Sequence, residues 1–152
     1  MKTLETKRLF LRDWTENDIG CGVFDENTIR YLITAKNNYA VVLKGNDLVI
    51  GTIGLNEDAE EDDPRKVRNI GFRLLEPYRN QGLMTEALTC VIENAYEITD
   101  ELSYVCPTDH VISRHIAEKF GFQYVKTFYA FQKKPQDKPT DFLYFRLKLV
   151  PR

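Results

Sequence analysis

The chain has little of what holds metals or cross-links. Three cysteines and two histidines are spread over 152 residues. Cys21, Cys90 and Cys106 show no CxxC spacing, which argues against a disulfide framework or a zinc site and makes a reducing cytoplasm the expected location. His110 and His115 have no cysteine near them, so no bound metal is expected. No stretch approaches the ~20 apolar residues of a membrane span, and the segment from Met1 to Arg8 lacks the apolar run of a signal peptide. No membrane partner is therefore expected. A net charge of −2 gives no support to a nucleic-acid partner. What remains is an ordinary globular composition, 43% hydrophobic and 29% charged, consistent with one domain over residues 1–152.

Hydrophobic periodicity supplies the elements. Residues 8–14 alternate as a half-buried strand, and residues 16–36 hold one or two short helices, with Thr15 as a plausible N-cap. Residues 39–43 and 48–55 read as a hairpin around the turn chemistry of Lys44 to Asp47. Gly51 and Gly54 within it predict a bulge or the close approach of another group. Residues 56–64 carry Glu57, Asp58, Glu60, Glu61, Asp62 and Asp63; this loop reads either as a solvated tip or as a patch attracting a cationic acceptor. Residues 66–75 form the next strand, ended by Pro77. From Gln81, the spacing of Leu83, Met84, Ala87, Leu88, Val91, Ile92 and Ala95 predicts a long amphipathic helix. Residues 102–106 are a short strand. Residues 109–120 form a second helix, closed by Gly121 and Phe122, and residues 123–133 and 140–149 are the last strands. Their aromatic residues, Tyr124, Phe128, Tyr129, Phe131, Phe142, Tyr144 and Phe145, read mostly as sheet core, with Tyr129 and Phe131 as the alternative wall of an acceptor pocket. The order predicts an α+β fold around a mixed, mostly antiparallel sheet flanked by helices. Leu9, Leu11, Val42, Ile50, Ile53, Ile70, Phe72, Leu88, Ile92, Val105, Ile116, Phe122, Phe145 and Leu147 are the expected core.

The turn at Arg79-Asn80-Gln81-Gly82 lies where a strand gives way to the long helix. A helix start offers unpaired N–H groups and the positive end of the macrodipole to an anion. Gly82 has no Cβ to keep a ligand off the backbone, and Arg79 adds a charged donor. The pattern points to a phosphate-binding turn. A nucleotide site of the P-loop type is disfavoured, because no Walker lysine follows Gly82.

Residues 69–87, with Arg79-Asn80-Gln81-Gly82-Leu83-Met84 at their centre, resemble the acetyl-CoA-binding motif Q/R-x-x-G-x-G/A of the GCN5-related N-acetyltransferases (GNAT). Met84 occupies the small-residue slot of that motif. The opening Leu4-Glu5-Thr6-Lys7-Arg8-Leu9-Phe10-Leu11-Arg12 and the run from His110 to Phe122 are similar to the branch of ribosomal-protein alanine acetyltransferases. The resemblance implies a sheet splayed at its middle and acetyl-CoA as co-substrate. It assigns CoA binding to Arg73, Leu74, Leu75, Arg79, Asn80, Gln81, Gly82, Leu83, Met84, Thr85 and His110. The N–H groups of Gln81 to Thr85 would cradle the pyrophosphate, and the backbone of Arg73 to Leu75 would bind pantetheine and the thioester oxygen.

The implied reaction is attack of a neutral primary amine, on a small molecule or a protein N-terminus, directly on the thioester. The glutamate base that many members carry two residues before Gly71 is here Asn69, and their tyrosine acid before Glu118 is here Ala117. Candidate groups for the proton chemistry are Ser113 as acid and His110, Glu57 or Glu76 as base. Proximity and oxyanion stabilisation alone are the other option. Each has an ordinary alternative: His110 as a surface residue at a helix start, Ser113 as a first-turn helix residue. Cys106 is read as packing and not as an acyl carrier. The abbreviated 16–38 region leaves an open acceptor side or one completed by a second copy of the chain in a homodimer. The competing class is a catalytically impaired CoA-binding or regulatory module, which Asn69 and Ala117 favour.

Overall fold

The computed structural model describes residues 1–151. Eight strands and three α-helices follow one another as β1 Leu4–Glu5, β2 Leu9–Asp13, α1 Glu26–Ala35, β3 Asn38–Leu43, β4 Leu48–Asn56, β5 Val67–Leu74, α2 Leu83–Asn94, β6 Glu101–Pro107, α3 Val111–Lys119, β7 Gln123–Phe131 and β8 Thr140–Lys148. This is the expected mixed α+β arrangement. Short 3-10 turns at Glu16–Asp18, Glu76–Tyr78 and Ala95–Glu97 join them. The chain divides into two compact units, residues 1–56 with 70–95 and residues 57–69 with 96–152. Strand β5 contributes its last five residues to the first unit and its first three to the second.

In the first unit β1, β2, β3 and β4 pair as successive antiparallel neighbours. Two-residue β1 escaped prediction because a two-residue strand carries no periodicity. Helix α1 is started by Asp25, whose carboxylate accepts from the Thr28 N–H at 2.8 Å. It buries Ile29 and Leu32 against Trp14, Val23, Ala40, Val42 and Val49. Thr15 and Asp18 close the preceding turn: the Asp18 carboxylate accepts from the Thr15 N–H at 2.8 Å and from both terminal nitrogens of Arg12 at 2.9 Å. The close approach forecast at Gly51 is real. A Cβ there would stand 2.3 Å from the Arg73 carbonyl oxygen, so only glycine lets β5 lie this near β4. A register shift opposite it, between Val41 and Val42, supplies the bulge as well.

In the second unit the parallel β5–β6 ladder holds three pairs, Val67↔Glu101, Arg68↔Leu102 and Asn69↔Ser103. It stops there, although β5 runs on to Leu74 and β6 to Pro107. Strand β8 then pairs antiparallel with both β6 and β7. Tyr104, Phe122 and Phe145 pack as an aromatic cluster with centroid separations of 5.7 and 6.4 Å. Helix α3 is closed beyond Lys119 by Gly121 at φ 83°, and the Phe122 N–H returns to the Ala117 carbonyl at 3.0 Å, the hydrogen bond of a Schellman cap.

Some core expectations are corrected. Phe72, Ile92, Val105, Ile116 and Leu147 are half-buried, whereas the other nine expected residues are buried. The aromatic residues of β7 are mostly outside: Tyr129 is 80% exposed, and Tyr124 and Phe131 are about half exposed. Alternation marks two faces of a strand but does not say whether anything covers them, and β7 has only β8 as a strand neighbour.

Candidate active site

The turn after β5 is built by backbone geometry. Leu75 leaves β5 with its N–H donated to the Ile50 carbonyl at 2.8 Å. Successive residues of an extended chain turn their N–H and C=O groups to opposite sides, so the groups of Leu74 point away from β4. The Leu74 carbonyl is taken by Arg79 Nε at 2.8 Å. Of the three residues expected to face pantetheine, Leu75 therefore spends its N–H on β4, and Leu74 keeps an outward N–H. Arg79 is a clamp across its own turn through Nε.

Asn80 and Gly82 both adopt positive φ, 62° and 76°. Gly82 is the N-cap of α2 and supplies no side-chain cap. A Cβ at Gly82 would find Arg8 Nη2 only at 3.5 Å, so its φ, and not crowding, demands glycine. The Gly82 carbonyl accepts from Glu86, the first intrahelical bond. The N–H groups of Leu83, Met84 and Thr85 precede that bond and have no intrahelical acceptor. Gln81, Gly82 and Thr85 are exposed, Met84 is half-buried and Leu83 points into the core. The result is an open helix start whose first N–H groups have no intrahelical acceptor.

A residue that sequence reasoning passed over lies beside it. Arg8, just before β2, donates Nε to Glu86 at 2.8 Å and Nη1 to the Gln81 carbonyl at 3.0 Å. Glu86 also accepts from the Arg8 N–H at 2.9 Å and from the Thr6 hydroxyl at 2.5 Å. Burial raises the Glu86 pKa, but the Thr6 and Arg8 hydrogen bonds outweigh it and hold the carboxyl below its ordinary value.

The second unit holds two polar arrays. In the first, His110 is the N-cap of α3: its Nδ1 accepts from the Ser113 N–H at 3.3 Å and lies 2.5 Å from Ser113 Oγ. Burial raises the Tyr104 phenol pKa, and a hydrogen bond with Ser113 opposes that shift. Tyr104, Ser113 and His110 thus form a chain from a buried phenol to an exposed imidazole. Ala117, in the slot of the family's tyrosine, is 0% exposed.

In the second array, Asp58 corrects the picture of a solvated acidic tip. Its carboxylate accepts from the Ser103 hydroxyl, from the Tyr144 hydroxyl at 2.9 Å, and from the N–H groups of Glu60 and Glu61 at 2.9 Å. Asn69 Nδ2 donates to Ser103 Oγ at 3.1 Å, and Arg146 Nη1 donates to the Tyr144 oxygen at 3.4 Å. Burial raises the Asp58 pKa, yet these donors together bring it below the ordinary carboxyl value. Burial first, and then Asp58, push the Tyr144 phenol up to about 12. A carboxylate so fully donated to is an anchor and a poor base. Asn69 is likewise a structural donor. Lys126 also pairs with Glu60 of this loop. Among the described residues no group of three His, Cys, Asp or Glu side chains is placed to hold a metal, and no helix is long and apolar enough to cross a membrane.

Comparison with known proteins defines the class of protein. The structure is similar to a GNAT-family acetyltransferase from Bacillus anthracis, with TM-score 0.79 and 18% identity over 97% of this chain and 98% of that one. It is similar to a GCN5-related N-acetyltransferase from Brucella melitensis, with TM-score 0.73 and 18% identity over 97% and 78% of the two chains. It also resembles an acetyl transferase from Salmonella typhimurium that modifies the N-terminal serine of ribosomal protein L7/L12, with TM-score 0.77 and 13% identity over 98% and 100%. A search of curated proteins found no match. The sequence itself matches the acetyltransferase (GNAT) domain model over residues 22–123, well over half of the chain. The chain belongs to the GNAT family of acetyl-CoA-dependent N-acetyltransferases.

Proposed function

We propose that this chain, as one acetyltransferase domain, transfers the acetyl group of acetyl-CoA to a primary amine by direct attack on the thioester. The observation that carries this reading is the open helix start after β5, with Gly82 at φ 76° and the N–H groups of Leu83 to Thr85 free of intrahelical acceptors. These groups receive the CoA pyrophosphate, and the dipole of α2 favours its charge. The outward N–H of Leu74 is the proposed donor to the thioester oxygen, where charge develops as the amine attacks.

In the reaction the amine nitrogen bonds to the acetyl carbon, the carbonyl oxygen takes the negative charge, and the C–S bond breaks as the carbonyl re-forms. The amine loses one proton and the departing thiolate gains one. Ser113, hydrogen-bonded to His110, is the proposed proton donor. No carboxylate base is assigned: Asn69, in the slot of the family's glutamate, is an amide that donates to Ser103, and the Asp58 carboxylate is occupied by structural hydrogen bonds. Water takes the amine proton, and positioning supplies the rest of the acceleration. The described action of the Salmonella protein makes a protein N-terminus the first acceptor class to test.

Calorimetric titration with CoA tests the cradle. Saturable binding that Gly82→Val weakens by tenfold or more is expected; binding indifferent to that substitution overturns the assignment.

A further inference from the structure

We propose that Arg8 is a second, pre-positioned cation for the pyrophosphate of acetyl-CoA and that Glu86 is the positioning residue that holds it there. The inference rests on the reading of the Arg79–Thr85 turn as the CoA cradle and adds a residue that the family motif does not contain.

The argument starts from an electrostatic conflict. The N-terminus of α2 carries partial positive charge and disfavours a cation. Yet the Arg8 guanidinium lies across this end, with Nη1 on the Gln81 carbonyl at 3.0 Å and Nη2 3.5 Å from where a Gly82 Cβ would stand. It does not drift there as a loose surface side chain. Nε is fixed to Glu86 at 2.8 Å, and the Arg8 N–H is fixed to the same carboxylate at 2.9 Å. The Thr6 hydroxyl holds that carboxylate from a third direction at 2.5 Å.

Glu86 compensates the cation locally but leaves the Arg8 side chain 42% exposed. Among the described residues, Nη2 has no partner. A guanidinium held by two of its nitrogens presents the remaining edge without further ordering, which suits a planar donor to phosphate oxygens. Gly82 leaves the surface between this edge and the first N–H groups of α2 bare. An anion seated on those N–H groups would have the guanidinium beside it and would relieve the conflict.

Arg8→Gln, Arg8→Lys and Glu86→Gln are compared with the unaltered protein by titration with CoA, dephospho-CoA and pantetheine, the last followed by NMR. Dephospho-CoA keeps the pyrophosphate and pantetheine has none. Arg8→Gln is expected to weaken CoA and dephospho-CoA alike, by about tenfold, and to leave pantetheine unchanged. Glu86→Gln produces a smaller loss of the same pattern, and Arg8→Lys recovers part of the Arg8→Gln loss. Unchanged CoA affinity in Arg8→Gln overturns the proposal. So does an equal loss for pantetheine, which marks a merely structural pair, or a loss confined to CoA, which moves the contact to the 3′-phosphate. If the unaltered protein does not bind CoA, the cradle reading itself fails, an outcome distinct from all of these.

Discussion

Replacing Asp58 by alanine removes the acceptor that ties the acidic loop to β6 and β8. Two of its donors are deeply buried, Ser103 at 0% and Tyr144 at 1% exposure. The other two are backbone N–H groups of Glu60 and Glu61, which are nearer solvent and can turn to water. Only the two hydroxyls are therefore stranded. Each buried donor left without an acceptor costs about 1–3 kcal/mol. Asn69 and Arg146 cannot make up the loss, because both donate to these oxygens. The expected destabilisation is about 2–6 kcal/mol. For a chain of this size that is a fall in melting temperature of roughly 5–25 °C. Urea unfolding of the single variants Asp58→Ala and Tyr144→Phe and of the double variant gives the coupling directly, with about 1–2 kcal/mol expected between the two positions. A loss below about 0.5 kcal/mol for Asp58→Ala, with additive single effects, would refute the anchoring role and return the loop to the status of a solvated tip.

Further outcomes follow from the same geometry. Asp18, Asp58 and Glu86 all have depressed folded pKa values. Their contribution is fully present above the unfolded carboxyl values near ~4 and is lost as pH falls through the folded ones. Acid unfolding should therefore steepen below about pH 4, and Asp58→Asn should flatten it in a pH series of unfolding curves. Tyr144 has the opposite sign, being raised to about 12. Its contribution is complete below the unfolded value near ~10 and declines above it, so Tyr144→Phe should flatten the alkaline limb. Gly51→Ala drives a Cβ against the Arg73 carbonyl oxygen; a destabilisation of about 1–3 kcal/mol is expected by chemical denaturation. Ser113→Ala should lower kcat by about tenfold or more and shift its pH profile, whereas a purely capping role leaves that profile in place.

The turn and helix start at Gly82 were legible in the sequence because their coding is local: Gly82 with positive φ, a helix start and a preceding strand all lie within a few residues. The hairpin, the long helix and the close approach at Gly51 were legible for the same reason. Arg8 was not, since its role depends on Glu86, which lies 78 residues away. Asp58 shows the same limit. Six acids in one loop read as a charge run, and nothing local says that one of them meets Ser103 and Tyr144. Tyr104 is a third case, since only the packing of α3 against β6 brings its phenol to Ser113. Exposure of the β7 aromatics escaped because alternation identifies a face and not its cover.

The most direct test of the account is release of free thiol from acetyl-CoA in the presence of primary amines and N-terminal peptides, with the acetylated product identified by mass. The account predicts thiol release matched one to one by acetylated amine with at least one acceptor class, and its loss without the acceptor. Tight CoA binding with no acetylated product from any member of the panel would contradict it and leave a CoA-binding module in its place.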